Sequence, residues 1–403
     1  KMKLNMASGH NYDLCFTGYV NNYSDAVTNG GLLDITEKID KISGLKELLP
    51  DYAWEAAEID GKIYAIPNLQ IMATANSLFV RKDMAEKYNL DIASVKTIDD
   101  IEPFLEKVKN GEPNLYPYRP NFGVIPWYIT EYDSVVSNIV LKKGSTSTND
   151  LAIIQTTPEY EKGAKKLWDW YQKGYIRKDV LSIGDDSTDY KNGKYAVTNE
   201  FWKPGAETAI SLAAGSEVVA IPLEKPYMSK SKATATMFAI GMNSRYPDKA
   251  LEFVKLINSN KELYNLISFG VKDTDYTFND EGKVVLSKNS GYNQLGNAWK
   301  FGNTFNALVL EGQPSDIWEQ TKKTNIEADK STMLGFMFDK SKVKSKLSNL
   351  GSLTSEYEFI NRGVKDPDTY LDDYIRKLKE AGIEEIYQES KTQLDEYFAS
   401  STK

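Results

Sequence analysis

Aromatic rings and carboxamides fall together at four places in this chain: Thr17-Gly18-Tyr19-Val20-Asn21, Asn121-Phe122-Gly123 with Pro126-Trp127-Tyr128, Phe201-Trp202-Lys203-Pro204-Gly205, and Trp299-Lys300-Phe301-Gly302-Asn303-Thr304-Phe305-Asn306. Rings offer flat apolar faces with polar edges, and amides both donate and accept hydrogen bonds. That combination suits the non-covalent holding of a sugar ring. Among 25 Tyr, 15 Phe and 7 Trp many must be core, and any one cluster taken alone reads more readily as packing. Four clusters in turn-rich segments are what give binding its weight. Trp168, Trp170 and Tyr171 lie on a helical pattern and read as packing, Trp318 reads as structural, and Trp54 fits either role.

Covalent chemistry is poorly supplied. A single Cys, Cys15, and a single His, His10, exclude an intrachain disulfide and zinc sites built from Cys and His, and a Ser-His or Cys-His site would need His10. Cys15 sits between Leu14 and Phe16 and reads as a small buried hydrophobe, and His10 as a solvated loop residue. No phosphate-binding loop, zinc-protease helix or nucleophile-elbow serine is present. No metal or other cofactor is expected. A carboxylate pair for glycoside hydrolysis stays open in a chain with 57 Asp and Glu, and Glu200 and Glu207, around Trp202, are its best candidates.

The net charge of −8 comes with lysines scattered among Glu and Asp, so the basic stripe of a nucleic-acid binder is missing. No apolar run approaches the roughly 18 to 20 residues that cross a bilayer. At 403 residues the chain exceeds what one hydrophobic core usually serves, which favours two domains.

The elements that must position the clusters follow from local signals. Asp60-Gly61 is a strong hairpin turn feeding a short β-rich run that stops at Pro67. Tyr12 to Thr17, Ser77 to Val80, Tyr195 to Thr198, Glu217 to Pro222 and Met237 to Met242 read as strands, and Thr277 to Leu286 as a hairpin about Asp280-Glu281-Gly282. Helices are expected from Lys82 to Tyr88, from Pro158 (capped by Thr157) to Gly174, from Pro247, from Pro367 (capped by Asp366) to Gly382, and from about Ile383 to Phe398. Short apolar strands alternating with amphipathic helices predict an α/β fold with mainly parallel sheets. In such sheets ligands lie at the carboxyl ends of strands, and Phe201-Trp202 is expected in a loop just past one of them.

The ordered series Ala7-Ser8-Gly9, Tyr12-Asp13-Leu14, Gly31-Leu32-Leu33-Asp34, Asp60 to Pro67, Leu78 to Asp83, Tyr190 to Ala196 and Ala250 to Phe253 resembles the family 1 extracellular solute-binding proteins of ABC transporters. From Gly302-Asn303 through Leu310 to Pro314 and Leu334-Gly335-Phe336 to Asp366-Pro367, the chain is similar to the lipoprotein-type subgroup of Gram-positive bacteria. The resemblance implies a two-lobed, periplasmic-binding-protein-like fold (type II Venus flytrap) with a helix-rich second lobe and a ligand in the cleft. The lobes would be 1–76 plus 232–295 and 77–231 plus 296–403. Extracellular capture of an oligosaccharide for a membrane permease is implied, by a monomer that is not an enzyme and is lipid-anchored through an N-terminal Cys absent from this sequence. The family's first strand and helix would precede Lys1. The resemblance carries Thr17, Tyr19, Thr74, Asn76, Trp202 and Asn303 to Phe305 over as pocket positions. Asn21, Asn68, Asn121, Trp127, Lys203 and Trp299 complete the expected ligand-binding set. A peptide or other charged solute is the alternative ligand, with Lys203, Arg119 or Glu207 then dominant.

Overall fold

The computed structural model describes residues 12–19, 23–121, 128–287, 290 and 298–401. The chain divides into two compact units, 1–73 with 227–339 and 74–226 with 340–403. Within this division the segment 296–339 groups with the first unit. The reason is bonding to distant segments of that unit: Leu69 bridges to Asn303, the Tyr227–Met228 strand pairs with Asp329–Lys330, and buried Asn325 accepts from Met72 N–H at 2.8 Å and donates to the Gln70 carbonyl at 2.6 Å.

In the first unit Cys15–Thr17, Met237–Ala239 and Ala65–Pro67 form a three-stranded sheet with Met237–Ala239 central. Pro67, which has no N–H, closes the outer strand opposite Met237. The hairpin at Asp60-Gly61 forms between Glu58–Ile59 and Lys62–Ile63, with both turn residues at positive φ (52° and 72°), as a right-twisting two-residue turn requires. The second hairpin pairs Tyr276–Phe278 with Val284–Leu286. Ile66, Leu69 and Met72 pack with Trp54, Leu251, Val254 and Leu334 in the main core of this unit.

In the second unit the sheet order is Val218–Pro222, Ala75–Arg81, Tyr195–Trp202, Tyr116–Arg119. Only its last pair is parallel, so the expectation of mainly parallel sheets is corrected. Strand and helix alternation along a sequence does not encode direction when neighbours in space come from distant segments: Phe79 lies between Thr198 and Ala220. Leu78, Val80, Tyr118 and Val197 face a core shared with Phe104, Leu105 and Trp170. The helix Pro158–Gln172 is capped by the Thr157 hydroxyl, and Lys344–Glu356, Glu358–Asn361, Pro367–Glu380 and Ile383–Ser401 form the C-terminal helices. Mixed sheets with abundant helix bear out the α/β class.

Candidate ligand-binding site

In the first unit one backbone segment, Thr234–Thr236, ties together the loops that carry the rings. Tyr19 N–H donates to the Thr234 carbonyl at 2.8 Å and Asn68 N–H to the Thr236 carbonyl at 3.0 Å. The Thr236 hydroxyl accepts from the Gln70 amide at 2.8 Å and donates to the Trp299 carbonyl at 3.3 Å. Gly18 permits this approach, because a Cβ there would stand 2.1 Å from the Ala235 carbonyl oxygen. Tyr19 and Trp299 emerge 39% and 42% exposed, whereas large aromatic side chains usually bury most of their surface.

The other candidates of this unit are inward. Asn68, 1% exposed, donates to the Lys300 carbonyl at 2.8 Å and accepts from Gly302 N–H at 3.1 Å; its amide is engaged on both sides and fixes the Trp299 to Asn303 loop. Thr17 is fully buried, with no hydroxyl partner among the described residues. Asn303 accepts from Phe305 N–H at 3.1 Å and so caps a short 3-10 turn. Phe305 packs against the core with the Lys322 ammonium 5.0 Å from its ring centre.

In the second unit the Tyr195–Trp202 strand runs four residues beyond the expected Thr198 stop. Phe201 and Trp202 are therefore strand residues, paired with Asn76 and Ala75, and this corrects their placement in a loop. Pairing satisfies the backbone through Trp202, and Pro204-Gly205 supplies the actual break, with Gly205 at φ 76°. Trp202 lies half-buried beside Phe79, Tyr190 and Tyr195, and Lys203 next to it is exposed. Asn76 N–H donates to Glu224 at 2.9 Å, and Glu224 in turn holds Lys143 at 2.9 Å. The Thr74 hydroxyl is buried and has no partner among the described residues. Asn121 N–H donates to the Asn199 side chain at 2.8 Å and its amide donates to Glu200. Desolvation by burial raises the Glu200 carboxyl above its ordinary range.

Sequence reasoning missed Gln70, Thr234 and Thr236, since nothing in their types or spacing sets small polar residues apart; the Gly18-Tyr19 pair was the nearest signal. Asn21 and Trp127 lie outside the described residues, as does His10. Cys15 is buried, its Sγ directed at the Ala239 carbonyl at 3.4 Å, and burial pushes the thiol up to about 11. Trp54 and Trp318 are structural, their indole N–H groups donating to the Lys46 and Ala307 carbonyls at 3.0 and 2.7 Å. Among the described residues no group of three or more His, Cys, Asp or Glu could hold a metal ion, and no helix is long and apolar enough to cross a membrane.

Residues 1–271 match the family model described as bacterial extracellular solute-binding protein, and residues 332–399 match a domain of unknown function, DUF3502. A carbohydrate ABC transporter substrate-binding protein of Streptococcus pneumoniae is 29% identical, the alignment covering 98% of this chain and 82% of that protein. The crystal structure of the N-glycan transport solute binding protein NgtS from Streptococcus pneumoniae is 26% identical with a TM-score of 0.85, covering 100% of this chain and 89% of that one. The same protein in complex with Man5GlcNAc gives 26% identity and a TM-score of 0.75, over 99% and 88% of the two chains. The alginate-binding protein AlgQ2, at 19% identity and a TM-score of 0.65 over 98% and 88%, shares the fold.

Proposed function

The chain belongs to the bacterial extracellular solute-binding proteins, and from that premise we propose that it captures an oligosaccharide outside the cell and delivers it to the permease of an ABC importer. The observation that carries this reading is the pair of exposed rings, Tyr19 and Trp299, both fixed through Thr234–Thr236. Exposed rings on anchored backbone lose less entropy on meeting a sugar ring than rings on an unanchored loop would. A relative solved with Man5GlcNAc supports a mannose-containing glycan as the ligand class.

In this reading Tyr19, Trp299 and Trp202 stack on sugar faces, while Asn76, Asn121, Lys203 and Asn303 read hydroxyls. Thr74 remains part of the proposed set, Phe305 backs the Trp299 loop, and Thr17 and Asn68 serve as scaffold. Asn21 and Trp127 remain part of the proposed set. Binding involves no covalent step, and the protein works as a monomer. Its anchor is a lipid on a cysteine other than Cys15, which is buried. Of the groups a charged solute would use, Arg119 is already paired with Asp186 through two hydrogen bonds, at 2.8 and 2.6 Å.

A thermal-shift screen against glycans, peptides and nucleosides tests the proposal. A ligand at about a hundred times its Kd adds roughly 2.7 kcal/mol to stability, so mannose-containing glycans should raise Tm and be recovered uncleaved. A response confined to peptides or nucleosides, or shortened glycan in the recovered sample, would overturn it.

A further inference from the structure

The region of unknown function reaches the ligand-reading end of the second unit through one side chain. The helix Glu358–Asn361 is followed by Gly363, at φ +69°, where an added Cβ would stand 2.5 Å from the Leu167 carbonyl oxygen of the helix Pro158–Gln172. Backbone meets backbone there, which sets where Arg362 begins. From the same helix the Tyr160 hydroxyl donates to Asn361 at 2.9 Å, and Asn361 donates to Glu358 at 3.3 Å. Glu358 accepts from Arg362 Nε at 2.8 Å, and Arg362 Nη1 donates to the Pro120 carbonyl at 3.0 Å.

This polar relay ends one residue from Asn121, which donates to both Asn199 and Glu200. On the other side of Pro120, Arg119 is fixed by Asp186 and lies 4.1 Å over the Tyr190 ring. Beside this segment lies a pocket of about 290 Å³ bordered by Pro120, Asn121, Leu181, Ile183, Glu358 and Arg362.

We infer that Arg362 is a positioning residue for glycan binding: through the Pro120 carbonyl it holds Asn121 where Asn121 and Glu200 meet the ligand, and this is what the 332–399 region contributes to the site. The inference rests on the oligosaccharide reading. Its removal should act through Asn121, not through the fold at large. Residues sharing one network give non-additive effects.

The test uses the full chain and a Man5GlcNAc titration of wild type, Arg362→Ala, Asn121→Ala, the double variant and Arg362→Lys. Arg362→Ala should weaken binding about tenfold, the double variant should be no more than about twofold weaker than Asn121→Ala, and Arg362→Lys should restore most of the affinity. Amide hydrogen exchange should show faster exchange at Asn121 in Arg362→Ala, with the Ala75–Arg81 strand unchanged. Wild-type affinity in Arg362→Ala, or losses that multiply in the double variant, would overturn the inference while leaving the oligosaccharide reading intact. Absence of glycan binding by the wild type would overturn both. Should Arg362→Ala fail to fold, Arg362→Gln takes its place: weaker Man5GlcNAc binding with a faster Asn121 amide would support the inference, and wild-type affinity would overturn it.

Discussion

At Lys230 the first unit buries an ammonium group, 7% exposed, whose Nζ donates to the Glu58 carbonyl at 3.0 Å. Burial favours the neutral amine and pulls its pKa down to about 7, against the opposing pull of Glu58, Glu55 and Asp60. The unfolded chain holds that proton up to about pH 10.4. Between those values the unfolded state binds more protons, so this residue makes stability rise with pH, and its cost is full at pH 7 and below. Comparing Lys230→Met with wild type, the Tm difference in favour of the variant should be largest at pH 6 to 7 and shrink by several degrees toward pH 10. A difference constant across that range would contradict the assignment. Exposure was partly legible in the sequence: ring-and-amide clustering in turn-rich segments nominated Tyr19 and Trp299, which the structure leaves exposed. It also nominated Asn68, whose amide bonds inward to Lys300 and Gly302, since exposure depends on partners over 200 residues away.

Elements set by local chemistry were the most legible. The Asp60-Gly61 hairpin, the Thr157 cap and the Pro367 helix start each rest on neighbours in sequence. Strand direction and the true end at Trp202 were not legible, because pairing with Ala75–Arg81 decides both. The contrast between two glycines carries a prediction. Gly61, at φ 72°, has open space around its missing Cβ, whereas Gly363 combines φ 69° with the Leu167 carbonyl 2.5 Å away. Gly61→Ala should cost about 1 kcal/mol from backbone strain alone, and Gly363→Ala about 3 kcal/mol from strain plus overpacking. Urea denaturation followed by tryptophan fluorescence measures both; equal costs, or the reverse order, would contradict the packing described for the helix Glu358–Asn361.

For the whole molecule, the ordered motifs announced a two-lobed binding fold, and the division of the chain bears out two units. The fate of 296–339 was not readable, because it turns on Asn325, the Leu69 bridge and the Tyr227–Met228 strand, contacts between segments far apart in sequence. The central claim is the proposal that the chain binds an oligosaccharide through its aromatic rings. Titration calorimetry of Man5GlcNAc into the wild type, Trp299→Ala and Trp202→Ala tests it most directly. The wild type should bind, and each variant should lose about tenfold or more, the scale of a central aromatic contact of 1.4 kcal/mol or more. No binding by the wild type, or undiminished affinity in both variants, would contradict it.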